Sequence, residues 1–335
     1  MNVTIIGAGS WGTALSLVLH EGGHKVRIWA REPEVAMRIN QFRDNQDYLP
    51  GISIPDGITC CTEFSECIPG CEVLVFATPS HAMREVAGLV KPFLNGDEIL
   101  VHVAKGIEND TFMTMSEVLA EVLSDVVPED HIGVLSGPSH SEEVSRMKAT
   151  TVVSAANSKS TAALIQKLFM TPHFRVYVNN DIRGVEIAGS VKNVMAIAAG
   201  IVDGANMGDN ASAALMTRGL LEMKRLGTRL GASQDTFSGL AGIGDLIVTC
   251  TSKHSRNRYV GFQIGQGKKL DDIIANMNMV AEGVKTTRSV YEWSRMLNVD
   301  MPLTEAVFQV LFEGVKPMDA LFTLMTRDPK DEILV

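Results

Sequence analysis

Val3-Thr4-Ile5-Ile6-Gly7-Ala8-Gly9-Ser10-Trp11-Gly12 decides how the first half of this chain is read. Four β-branched residues in succession predict a strand. The glycines that follow have the spacing G-x-G-x-x-G, and a segment reading as a helix runs on from Gly12 to Glu21 before Gly22-Gly23 ends it. Strand, glycine turn and helix in that order are the context in which this spacing signals a dinucleotide site. Gly7 permits the tight turn, Gly9 lets backbone approach a pyrophosphate, and Gly12 lets helix and strand pack closely. The helix start adds unpaired N–H donors and the positive end of the helix dipole. The competing reading is a glycine-rich turn that binds nothing.

Downstream, short β-branched or apolar runs alternate with helical patterns. Lys25–Ala30 reads as a second strand, and Pro33–Phe42 as a helix opened by proline. Val73–Ala77 and Glu98–Ala104 are apolar without alternation, as expected of strands buried on both faces of a parallel sheet. His131–Leu135, Thr150–Ala155 and Phe174–Val178 are further strand candidates. After about Asn180 the periodicity becomes helical, with the change near Asp181–Gly184. The expected fold is an α/β Rossmann-like doubly wound sheet over residues 1–182, followed by an all-α domain over 183–335.

The composition narrows the function. The chain has 335 residues, 45% of them hydrophobic, and a formal charge of −9. An acidic chain is a poor general partner for nucleic acid, although a local site can still be basic. No apolar run approaches the roughly 18 residues of a membrane helix, and no basic-then-apolar leader precedes the first strand. The expectation is a cytoplasmic protein without membrane insertion. Cys60, Cys61, Cys67 and Cys71 cluster, but without the paired spacing or nearby histidines of a metal site. They are read as thiols, and no metal is expected.

Several polar residues stand out against their surroundings. Lys192 lies in the most apolar helical segment, among Ala188, Gly189, Met195 and Ala196. A lysine buried there needs a partner, a lowered pKa or a task; otherwise it snorkels to the surface. Asp245 follows Gly239, Gly242 and Gly244 and suits either a close approach to a ligand or a plain turn. Thr249–Arg258, ending in Ser255-Arg256-Asn257-Arg258, reads as a polar loop, which either binds a phosphate monoester or is merely solvated. Lys105 and the Ser136–Ser139 segment, with Gly137 and Ser139, follow strand ends, where ligands bind in open α/β sheets. At the end of the second strand, Ala30 stands where an acid usually holds the ribose of NAD. Arg31 next to it can pair with a 2′-phosphate, Glu32 can reach a hydroxyl, and Arg31 can also simply face solvent. NADP, or both cofactors, is the expectation.

Taken together, G-A-G-S-W-G-T-A-L at 7–15, V-A-K-G at 103–106, L-S-G-P-S at 135–139, G-S-V-K-N-V at 189–194, G-L-A-G-I-G-D-L at 239–246, S-R-N-R at 255–258 and V-A-E-G-V at 280–284 resemble bacterial NAD(P)-dependent glycerol-3-phosphate dehydrogenase. Order and spacing match from residue 3 to about 330. The resemblance implies that Lys192 transfers the proton, and that Lys105, Gly137, Ser139, Asp245, Ser255, Arg256 and Asn257 line the substrate site. It implies cofactor contacts from Ser10, Trp11, Arg31, Tyr48, Lys105, Ser141, Arg256, Val280 and Glu282, beside Gly7, Gly9 and Gly12. Ser-His-Ser at 139–141 departs from the more usual Thr-Phe-Ala. The implied reaction is reversible hydride transfer from NAD(P)H to dihydroxyacetone phosphate, giving sn-glycerol 3-phosphate for phospholipid synthesis. The oligomeric state is open, with a homodimer as the candidate. Two rivals are a two-domain β-hydroxy-acid dehydrogenase and a non-catalytic dinucleotide sensor.

Overall fold

A computed structural model describes residues 1–277, 281–329 and 331–332. Eight strands form one sheet: β1 (Asn2–Ile6), β2 (Lys25–Trp29), β3 (Ile58–Cys61), β4 (Val73–Phe76), β5 (Ile99–His102), β6 (Ile132–Ser136), β7 (Thr150–Ala156) and β8 (Phe174–Asn179). Their spatial order is β3-β2-β1-β4-β5-β6-β7-β8. All neighbours are parallel except β6 and β7, which run antiparallel. The chain leaves β1 for one side and returns to its other side as β4. That reversal opens a crevice at the carboxyl ends of β1 and β4, the place where open α/β sheets bind ligands.

Helices α1 (Ser10–Glu21), α2 (Pro33–Met37), α3 (Phe64–Cys67), α4 (Met83–Val90), α5 (Met115–Leu123), α6 (Ser141–Val144) and α7 (Lys159–Phe169) connect the strands. Two separate apolar cores pack helices of the first half against the sheet. One places Leu15 and Leu19 of α1 with Ile5 of β1; the other places Val86 and Val90 of α4 with Leu74 of β4. The expected helix over Pro33–Phe42 keeps α-geometry only to Met37 and continues as a wider turn to Phe42.

β3 and the disulfide correct the sequence reading. Ile58-Thr-Cys-Cys61 is short and mixed in polarity, yet it pairs along β2 because the sheet edge offers unpaired backbone groups. Cys61, ending β3, and Cys67, in α3, form a disulfide rather than two thiols. The β3–α3 turn brings their Cα atoms to 6.1 Å, within bridging range. Cys60, Cys71 and Cys250 are free and buried.

Beyond β8 the described residues are helical: α8 (Ile182–Gly204), α9 (Asp209–Arg229), α10 (Asp245–Thr251), α11 (Arg256–Gly265), α12 (Leu270–Ala275), α13 (Glu282–Met296), α14 (Pro302–Phe312) and α15 (Pro317–Met325). Asp181 caps α8 by accepting from the Gly184 N–H at 2.9 Å. By length and composition α8 could cross a membrane, but its apolar stretch is wholly buried within the protein. It forms the axis of the second half and shares a core with Val134 of β6 and Val153 of β7.

The contact between α8 and α11 is backbone against backbone. A Cβ on Gly200 would lie 2.1 Å from the Arg258 carbonyl oxygen, and one on Gly261 2.0 Å from that of Ile197. Glycine on both helices removes the side chains that would hold the axes apart. The N-terminus of α11, with Arg256 and Asn257, is thereby fixed beside the middle of α8, with Lys192.

Candidate active site

The crevice at the β1–β4 reversal continues into a cavity of about 510 Å³ between the sheet and the helical half. The glycine turn builds one end. Gly7 has φ +116°, and a Cβ there would lie 2.8 Å from the Ala77 carbonyl oxygen. A Cβ on Gly12 would sit 2.0 Å from the Gly7 carbonyl oxygen, so turn and helix are in direct contact. At Gly9, by contrast, an added Cβ meets no protein atom. The helix α1 that begins here has no side-chain cap and no acid in its first turn. Exposed N–H donors, open space at Gly9 and the positive helix end fit a pyrophosphate, so this end of the crevice suits a dinucleotide.

Arg31 and Tyr48 line the wall beyond that turn. The Arg31 side chain is 81% exposed and pairs with Glu32 at 2.8 Å. The pairing holds the guanidinium above its ordinary range. Across the crevice, Glu282 at the start of α13 accepts from the Ser80 N–H at 2.9 Å, tying the helical half to the loop after β4.

At the other end three charged side chains form a chain. Lys192 Nζ donates to Asp245 Oδ1 at 2.8 Å, and Lys105 Nζ donates to Asp245 Oδ2 at 2.7 Å. Lys192 also reaches Thr249 Oγ1 at 2.6 Å, and Lys105 reaches the Gly137 carbonyl oxygen at 2.9 Å. Lys192 is 4% exposed, so it does not snorkel. Burial pushes its ammonium down, to about 8; Asp245 opposes this and Lys105 adds to it. Burial alone would raise the Asp245 carboxyl, but the two flanking ammonium groups outweigh it and hold Asp245 below the ordinary carboxylate range.

The local sequence explains the placement. The glycine run 239–244 makes a wide helical turn whose bend at Gly242 has φ −88° and ψ −105°. Asp245 leaves that bend as the first residue of α10, and Thr249 lies one turn later on the same face. Asn193, beside Lys192 on α8, donates to the Lys105 carbonyl oxygen at 2.9 Å. Asn193 is not among the expected site residues, and Thr249 is expected only as the start of the polar 249–258 stretch, not as a partner of Lys192. The Asp245–Thr249 spacing on a helix was the readable signal for Thr249.

Most of the expected polar loop over 249–258 is helical: Thr249–Thr251 close α10, and Arg256–Arg258 start α11. Ser255 is the N-cap of α11, accepting from the Arg258 N–H at 3.2 Å, and Arg256 opens the helix. Hydroxyl, amide and guanidinium groups read as loop polarity, but a serine followed by a full helical turn is also a capping signal. The Asn257 side chain accepts from the Gly283 N–H at 2.9 Å. Arg258 turns away and pairs with Asp203. Arg256 is exposed on the cavity wall and has no ionic partner among the described residues.

Nearly all the expected residues therefore meet in one cavity. Gly12 and Gly137 lie behind its wall, and Val280 falls outside the described residues. Ser139 donates to the Gly137 carbonyl oxygen at 2.9 Å, and Ser141 to Glu142 at 3.2 Å. Between those serines, His140 also lines the cavity, its ring centroid 5.8 Å from that of His254. Burial, then the charges of Lys192 and Lys105, lower its pKa. In the sequence, His140 stands out only within the Ser-His-Ser departure at 139–141.

Comparison with known proteins agrees with this arrangement. Residues 2–162 match the family model described as NAD-dependent glycerol-3-phosphate dehydrogenase N-terminus, and residues 181–322 the corresponding C-terminus. The chain is 53% identical to a glycerol-3-phosphate dehydrogenase [NAD(P)+] of Chlorobium phaeobacteroides over 333 residues, covering 99% of both chains. It is 51% identical to one from Salinibacter ruber, covering 99% of this chain and 97% of the other. A solved glycerol-3-phosphate dehydrogenase of Coxiella burnetii superposes with a TM-score of 0.92 at 37% identity, over 97% of this chain and 99% of that one. Gly-rich turn, lysine–aspartate–lysine chain and relatives matched from end to end agree: this chain belongs to the NAD-dependent glycerol-3-phosphate dehydrogenase family.

Proposed function

We propose that this chain reduces dihydroxyacetone phosphate to sn-glycerol 3-phosphate reversibly, with NADPH or NADH. The observation that carries the reading is the buried Lys105–Asp245–Lys192 chain at the point where the dinucleotide crevice meets Arg256. Bound NAD(P)H supplies the hydride. Gly7, Gly9, Ser10 and Trp11 would hold its pyrophosphate side, with Arg31, Tyr48, Ser141 and Glu282 around the rest. Lys192 delivers a proton to the substrate oxygen as the alkoxide forms, and in oxidation it starts neutral and takes that proton back. Asp245 and Thr249 hold the amine in place. Arg256, Asn257, Ser139 and the Gly137 segment orient the phosphate-bearing substrate, so remote binding energy aligns the reacting carbon. The division at residues 182 and 183 puts the dinucleotide turn in the first half and the proton-transferring lysine in the second, with substrate and cofactor contacts from both sides of the cavity. We place the protein in the cytoplasm as a homodimer, supplying glycerol phosphate for phospholipid synthesis. NADPH oxidation assayed with dihydroxyacetone phosphate, a β-hydroxy-acid precursor and no substrate tests the reading; turnover only with the second would replace it.

The position of Lys192 fixes a pH dependence. Oxidation needs the neutral amine, so kcat/KM for glycerol 3-phosphate should rise with pH through about 8. Reduction needs the ammonium and should fall through the same value. Asp245 raises the lysine, so Asp245→Asn should move this limb to lower pH. Lys105 lowers it, so Lys105→Met should move the limb to higher pH. Profiles of kcat/KM in both directions check the signs; limbs that stay put in both variants would take Lys192 out of the titration.

Arg31 sets a second expectation. Arg31→Asp should shift the kcat/KM ratio about 10-fold toward NAD, because an acid repels a 2′-phosphate and accepts from a 2′-hydroxyl. The shift is modest because the guanidinium is solvated and already paired with Glu32. An unchanged ratio would mean that Arg31 serves only Glu32.

A further inference from the structure

A second buried polar cluster lies behind the cavity, on the seam between the sheet and α8. Glu186 of α8 has a carboxylate that is almost fully buried, with side-chain exposure of 2%. It accepts from the Ser116 N–H at 2.8 Å and from the Ser116 hydroxyl at 2.5 Å, at the first turn of α5. His102, which ends β5 and has no exposed surface, brings its Nε2 to 2.9 Å from Glu186 Oε1. That contact is close but not aligned as a hydrogen bond, and neither ring nitrogen has another partner. Burial alone would raise the Glu186 carboxyl, but His102 and the Ser116 donors hold it below its ordinary range. A buried carboxylate with three polar neighbours is costly to assemble and to break, so it resists sliding of the elements it joins.

Those elements carry the two lysines of the active site. His102 leads from β5 directly into the segment bearing Lys105, and Glu186 precedes Lys192 on the same helix. The seam is also narrow at this level. A Cβ on Gly189 would lie 3.1 Å from Ser136 Oγ and 3.7 Å from Lys105 Cγ. Asn193 binds the Lys105 carbonyl oxygen from the same helix. Glu186 thus sits where a shift of α8 along the sheet would change the spacing between Lys192 and everything the sheet carries.

We propose that Glu186, braced by Ser116 and His102, is a positioning residue for the reaction: it sets the register of α8 against the sheet and so aims Lys192 at the substrate. It touches neither substrate nor cofactor. This rests on the proposed reduction of dihydroxyacetone phosphate.

The test compares wild type with Glu186→Ala, Glu186→Gln and Ser116→Ala. Misplacement of a reacting group by about 1 Å can cost on the order of 10²-fold, so kcat of Glu186→Ala should fall by roughly 30- to 100-fold. Glu186→Gln keeps an acceptor for Ser116 and should recover most of that loss. NADPH affinity, read by fluorescence quenching without turnover, should change less than about 3-fold, because the crevice at α1 is remote from the seam. The limb near 8 in the kcat/KM profile should move upward in Glu186→Ala, as a displaced Lys192 gains water. Ser116→Ala and Glu186→Gln combined should lose less than the product of their separate losses. Should Glu186→Ala fail to fold by circular dichroism, Glu186→Gln and Ser116→Ala decide by the same readouts, with smaller losses. Folded variants that keep wild-type kcat and limb overturn the proposal. So does a parallel fall of kcat, NADPH affinity and melting temperature, which is the mark of general loosening. A wild type that does not turn over dihydroxyacetone phosphate overturns the functional reading instead.

Discussion

Lys192→Met should lower kcat by on the order of 10²-fold or more in both directions, as loss of a general acid–base group does. Methionine keeps the length and apolar stem of lysine, so the tightly packed middle of α8 should accept it with little change in fold. The partner left behind is not stranded, since Asp245 Oδ2 keeps Lys105 at 2.7 Å and Oδ1 keeps a 3.2 Å contact from Thr249. Stability should therefore fall little, and cofactor affinity should hold, because the glycine turn and α1 are untouched. The limb near 8 should vanish from the residual kcat/KM profile. Steady-state kinetics with NADPH and dihydroxyacetone phosphate, alongside a cofactor titration, measure both. Near-normal turnover with the limb intact would remove Lys192 from the chemistry and leave it as a buried structural cation.

Arg256→Ala should cost roughly 10- to 150-fold in kcat/KM for dihydroxyacetone phosphate, or about 1.5–3 kcal/mol. Unphosphorylated dihydroxyacetone, which has no anion to lose, should be affected far less. The structure sharpens this expectation. Arg256 opens α11, so its guanidinium and the first-turn N–H groups of that helix favour the same anion. It has no carboxylate to satisfy among the described residues, unlike Arg258, which is occupied by Asp203. Truncation should therefore leave the fold alone. Arg256→Lys should recover part of the loss, restoring charge but not the planar fork. Wild type and variant against both substrates isolate the phosphate contribution. Equal losses on the two substrates would assign Arg256 to cofactor or fold and require another phosphate partner.

What could be read from the sequence follows the range of the interactions. The β1–turn–α1 unit was legible because its logic is local: four β-branched residues, then three glycines whose roles are set by contacts within the same short segment and with Ala77. β3 was not legible, because Ile58–Cys61 becomes a strand only through the free edge of β2. The antiparallel turn from β6 into β7 was equally hidden, since an apolar run looks the same in either direction. Cys61 and Cys67 paired only once the β3–α3 turn closed between them.

At the site, sequence by itself marked Lys192 as out of place, because a charge amid small and apolar neighbours needs either compensation or an exit to solvent; burial, known only from the fold, decided between them. The sequence could not name the compensation. Asp245 is 53 residues from Lys192 and 140 from Lys105, and nothing local links them. Tertiary structure decided that one carboxylate would serve both lysines, by laying α10 against α8 and both beside the segment that follows β5. It also decided that Arg256 would open a helix facing the cavity while Arg258 turned away, a difference that depends on the glycine contact of α11 with α8. Backbone conformation and burial preference are properties of neighbouring residues and survive in the sequence. The pairing of distant charges is a property of packing, and only the folded chain contains it.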